Sequence, residues 1–150
     1  MRRTGLVVLA LALVALVAAP APRSSASSHT DHTERFDNGF TVIVHENPLA
    51  PVVALSLFVK AGTRWEQPAT AGITNFLHAV MVKGTAKRSG SQLAEEIAAM
   101  GGKISAAGDI DYSEIKSSAL ARFWRPLLTL TAELALEPKM SPDEVGGERD

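Results

Sequence analysis

Cysteine is absent from this chain of 150 residues. That excludes disulfide cross-links and removes thiolates from any metal site. Aromatic residues are scarce at 5%, so leucine, valine, isoleucine and alanine must supply most of the core. Net positive charge is lacking too. Setting aside Arg2, Arg3 and Arg23 in the leading segment, the 15 Lys and Arg fall to 12 against 16 Asp and Glu. That balance gives no electrostatic reason to bind nucleic acid or an anionic membrane. Histidines number only 4, at positions 29, 32, 45 and 78, and no two of them stand four apart.

One long apolar run exists. Residues 6–19 carry no charge, follow Arg2 and Arg3, and precede small residues. The run is shorter than the roughly 20 residues a membrane span requires. It therefore reads as a secretory signal over residues 1–26, with cleavage after Ala26 favoured because Pro22 disfavours cleavage at Ala21. Cleavage leaves no stable membrane anchor, and without cysteine a lipoprotein anchor is excluded. The expected location is secreted, in a bacterial periplasm. Residues 27–33 read as a flexible lead-in, where His29 and His32 are too few to close a metal site. The folded part is expected over residues 34–150.

Within it, Asn38-Gly39 is a turn signal, and residues 40–45 and 52–60 alternate as strands. Their closeness along the chain suggests an antiparallel pair. On the second strand Val53, Leu55, Leu57 and Val59 share one side. Residues 72–82 place Ile73, Phe76, Leu77, Val80 and Met81 at helical spacing, a stripe expected to face the core. A second helix, capped by Ser89 or Ser91, runs to Met100 and stops at Gly101-Gly102. Two strands, 103–107 and 112–120, flank a turn in which Asp109 and Asp111 read as solvated residues. A third helix has Pro126 in its first turn and an apolar face of Trp124, Leu127, Leu128, Leu134 and Ala135. Pro138 ends it. Ser141-Pro142-Asp143-Glu144 has the chemistry of another helix start, shortly before the chain stops at Asp150, so the domain is expected to be truncated at its C-terminus. The element order argues for an α+β fold, an antiparallel-rich sheet with helices packed on one face.

Several segments in order carry a family resemblance: Asp37-Asn38-Gly39-Phe40, Ala50-Pro51-Val52-Val53, Ala61-Gly62-Thr63-Arg64, Gly72-Ile73, Lys83-Gly84-Thr85 and Met100-Gly101-Gly102. Together they make the chain similar to the N-terminal domain of the pitrilysin/insulinase family of zinc metallopeptidases. That resemblance implies an insulinase-like half-domain. In the family, zinc is held by His-x-x-Glu-His on the first helix: two imidazoles one turn apart bind the metal, and the glutamate deprotonates its water. Here the matching positions are Asn75 for the first His, His78 for the Glu and Ala79 for the second His. Alanine has no donor atom and an amide oxygen is a poor zinc ligand. No catalytic or metal residue and no cofactor is therefore expected in this chain, although zinc is the family cofactor. His78 is expected at a partly exposed surface or cleft, on the face of Asn75, Ala79 and Val82.

The resemblance also marks Ser105, Ala106 and Ala107 as an edge strand able to pair with substrate peptide through its backbone. An ordinary edge strand is the competing reading. The functional expectation is a non-catalytic homologue, the structural or substrate-enclosing partner in a heterodimer with an active peptidase subunit. Two alternatives stand beside it: a metalloendopeptidase whose proteolysis depends on residues outside this chain, and a nonfunctional truncated fragment.

Overall fold

The structure, a computed structural model, describes residues 31–140 and Pro142. The helix start expected at 141–144 lies outside the described residues except for Pro142, and so does the signal segment. Two compact units divide the chain, Met1–Asn47 and Pro48–Asp150.

In the first unit, strand β1 (Asp31–Arg35) pairs antiparallel with β2 (Thr41–His45), in register from Asp31 opposite His45 to Arg35 opposite Thr41. The turn between them follows from Asn38-Gly39. Gly39 takes φ 85°, which suits a residue without Cβ, and the Asn38 side chain accepts the Phe40 N–H at 3.0 Å. β1 includes Asp31, His32 and Thr33, which the sequence analysis placed in the lead-in before the folded part. Polar composition argued for a solvated lead-in there, yet ladder pairing uses backbone groups that composition does not report.

In the second unit β3 (Val52–Val59), β4 (Lys103–Gly108) and β5 (Ser113–Leu120) form one antiparallel sheet in the order β3-β5-β4. Within its own unit β2 pairs with β1, and within the other β3 pairs with β5, where the sequence suggested a β2–β3 hairpin. Nearness in sequence favours a hairpin, but partner choice between strands is set by long-range packing. Helices α1 (Ile73–Met81), α2 (Gly90–Ala99) and α3 (Trp124–Leu136) complete the unit.

The core follows from strand alternation. Val53 and Leu55 on β3, Ala119 on β5 and Ile104 on β4 share one sheet face, and Leu93, Ile97, Met100, Leu127, Leu130 and Leu134 pack onto it. The architecture is the expected α+β one, with the α2 and α3 core on one face of an antiparallel sheet. Ser89 caps α2 through a reciprocal pair with Gln92. Gly101, at φ 62°, ends it with Gly101 and Gly102 N–H groups returning to Ala98 and Ile97.

On α3 the buried face is Leu127, Leu130, Thr131 and Leu134, whereas Trp124 and Leu128 are exposed. The sequence reading included those two and omitted Leu130 and Thr131. Thr131 hides among apolar neighbours because its hydroxyl is paired: it donates to the Leu127 carbonyl at 2.8 Å and meets the Ser117 hydroxyl at 2.7 Å. Trp124 instead lies against the Arg125 guanidinium at 4.4 Å.

Candidate functional site

The site is the neighbourhood of α1, which carries the positions where the resemblance puts zinc chemistry. Its N-terminus is set by the loop before it. A Cβ at Gly62 would lie 2.4 Å from the Asp109 carbonyl oxygen, so only glycine lets this loop close on the turn at 109–112. The loop is then zipped to that turn. Thr63 and Arg64 N–H groups donate to the Asp109 and Ile110 carbonyls, and the Arg64 guanidinium meets the Asp111 carboxylate at 2.5 Å.

Glu66 comes next, and its carboxylate accepts the N–H groups of Gly72 at 2.8 Å and Thr74 at 2.9 Å. It thereby satisfies donors that the first turn of α1 leaves open, and its charge suits the positive end of the helix dipole. Those bonds, Gly72 first and then Thr74, hold its carboxyl below the usual carboxylate value. From the sequence alone Glu66 has no assigned role. The available signal was a helix opening on Gly72 with no Ser, Thr, Asp or Asn to cap it.

The exit of α1 is fixed as firmly. Thr85 is 1% exposed; its N–H donates to the Arg88 carbonyl, and its hydroxyl oxygen accepts the Lys87 and Arg88 N–H groups at 3.2 and 3.1 Å. Gly84 is needed because a Cβ there would approach the Arg88 carbonyl oxygen to 2.9 Å. Arg88 bonds Glu133 on α3 and Glu96 on α2, and these carboxylates, Glu133 foremost, hold its guanidinium still more firmly protonated. The Lys-Gly-Thr turn is thus a joint between three helices.

Between those ends the chemical positions are placed as follows. Asn75 is exposed and Ala79 half-buried. His78 departs from expectation: it is 5% exposed, and neither ring nitrogen has a hydrogen-bond partner. The physical reason is Gly108. A Cβ there would lie 2.5 Å from His78 Cε1 and 3.3 Å from Nε2, so the imidazole fills space that any side chain on this part of β4 would occupy. Burial pushes the proton affinity of His78 below the ordinary imidazole value. The apolar stripe is displaced to match: Val80 and Met81 are buried, whereas Ile73 and Leu77 remain on the outside.

These residues do not fit zinc. The two ligand positions offer an exposed amide and a methyl group. The base position offers an imidazole with both nitrogens turned into the protein. Among the described residues no three His, Cys, Asp or Glu side chains converge as a metal site. Ser105, Ala106 and Ala107 lie on β4, a terminal strand of its sheet, with Ser105 and Ala107 exposed. Asp109 and Asp111 are turn residues engaged with the Ile110 N–H and with Arg64. Among the described residues no helix is long and apolar enough to cross a membrane.

A fold of this kind, with this helix and its Gly-Thr exit, is that of the metallopeptidase half-domain. The chain belongs to the insulinase family, peptidase family M16, whose model matches residues 41–150. It is 29% identical over 114 residues to an uncharacterized zinc protease of Rickettsia bellii, covering 76% of this chain and 28% of the relative. It is 26% identical over 112 residues to subunit 1 of the mitochondrial cytochrome b-c1 complex of Caenorhabditis elegans, covering 75% of this chain and 24% of that protein. The fold matches the crystal structure of a protease from Helicobacter pylori with a TM-score of 0.70 at 23% identity, over 81% of this chain and 29% of that one. The chain thus spans under a third of the length of each of these relatives.

Proposed function

We propose that this chain is a non-catalytic insulinase-family homologue, the structural or substrate-enclosing partner of an active zinc protease subunit in a bacterial periplasm. The observation that carries this reading is the state of α1. Its packing, its cap by Glu66 and its Thr85 exit are intact, while Asn75, His78 and Ala79 offer no set of zinc ligands and no carboxylate base. Selection on a scaffold alone accounts for that combination. A relative named as a subunit of the cytochrome b-c1 complex supports an assembly role. In this reading β4, through Ser105, Ala106 and Ala107, lies beside the enclosed peptide and pairs by backbone. The zinc belongs to the partner.

The similarity to a zinc protease favours a second reading, proteolysis through residues outside this chain. Peptide hydrolysis separates the two. The chain is assayed alone and after mixing with an insulinase-family subunit that carries His-x-x-Glu-His and is encoded beside it. The proposal predicts no chelator-sensitive cleavage by the chain alone, and a stable complex whose cleavage exceeds that of the active subunit by itself. Cleavage by the isolated chain supports the second reading instead.

A further inference from the structure

His78 is the one polar side chain among the described residues that is buried with all its polar atoms unpartnered. β4 alternates, so Ile104, Ala106 and Gly108 share the helix-bearing face, and Gly108 makes room there for the imidazole. Opposite them on β5, Ile115 and Ser113 occupy the same face. A cation at this position needs an acid, and the surrounding elements supply none. Glu114 and Lys116 fall at the alternate register positions and pair with each other at 3.0 Å; Lys103 faces that side as well. In the turn after β4, Asp109 is bound to the Ile110 N–H, Asp111 to Arg64, and Tyr112 rests edge-on against Phe58. Helix α1 contains no acid, Glu66 is occupied at its opposite end, and the only charge just beyond its C-terminus is the like-signed Lys83.

We propose that the seam between α1 and β4 is an acid-sensitive latch, in which protonation of His78 places an unpaired cation inside the seam and releases the helix from the sheet. A neutral imidazole is tolerated in this apolar space, whereas the imidazolium must leave it to be solvated. The direction follows from linkage. Burial keeps the docked His78 below its free value of 6.5, so the undocked state binds the proton more readily. Docking is at full strength above that pH and weakens as pH falls through it toward the lower docked value. Helix α1 borders the edge strand β4, so the latch makes that edge more mobile in acid.

Hydrogen exchange of the full chain, followed by mass spectrometry from about pH 7.5 to pH 5 with rates corrected for intrinsic exchange, tests this. Amides of residues 73–82 should lose protection by up to about tenfold for each pH unit below 6.5, while those of β5 and α3 hold theirs. Histidines 29, 32 and 45 lie in other peptides, so their titration reads out separately. His78→Leu should abolish the pH response. Constant α1 protection over this range, an equal loss in every element, or an unchanged response in His78→Leu overturns the proposal. Should His78→Leu fail to fold, the comparison of α1 with β5 and α3 in the unaltered chain still decides.

Discussion

Gly62, Glu66 and Gly108 are unremarkable letters in the sequence, yet they set where α1 begins and what it lies against. Glu66 is the sharpest example, because a single carboxylate serves two backbone donors of the first turn. Its carboxyl is held below the ordinary 4.5, so its contribution to stability is present above that pH and is lost as pH falls through the lower folded value. Urea unfolding along an acid series should show this loss in the parent chain below about pH 4.5. Glu66→Gln should be less stable at neutral pH and show a flatter acid limb; identical limbs would mean the carboxylate does not cap the helix. His78 was misplaced in the sequence reading for a related reason. Helical spacing describes which residues share a side of α1, but the side that meets the sheet was decided by the missing Cβ of Gly108.

Elements were more legible than their partners. Asn38-Gly39, the Ser89 cap, Gly101-Gly102 and Pro126 are local signals, and each marked a turn or helix end where the structure has one. Strand pairing is not local, which is why the partners of β2 and β3, β1 and β5, were not read from the sequence. The buried face of α3 was half legible: a threonine in a core is readable only once Ser117 is known to lie across from it. The core itself rests on α2 and α3 closing over one sheet face. Leu134 is wholly buried in it, so Leu134→Ala should lower stability by about 2–5 kcal/mol through lost burial and an unfilled cavity. Denaturant midpoints measured at constant slope read this directly. A change under about 1 kcal/mol would mean that the core collapses around the gap.

At the scale of the whole molecule, family membership and the absence of a fitting donor set pull in opposite directions. Membership rests on a family model matching residues 41–150 and on a fold shared with a solved protease at a TM-score of 0.70. The chemistry rests on three positions, and it is at those positions that the sequence departs from the family pattern. Under the proposed function, the cap at Glu66, the exit turn at Thr85 and the joint at Arg88 hold a scaffold that meets a partner subunit. The most direct measurement is the zinc content of the purified full chain after equilibration with equimolar zinc and exhaustive dialysis, read by elemental mass spectrometry. With Asn75 and Ala79 at the ligand positions, retention should stay below about a tenth of an equivalent per chain. One tightly held equivalent would contradict a scaffold without zinc chemistry.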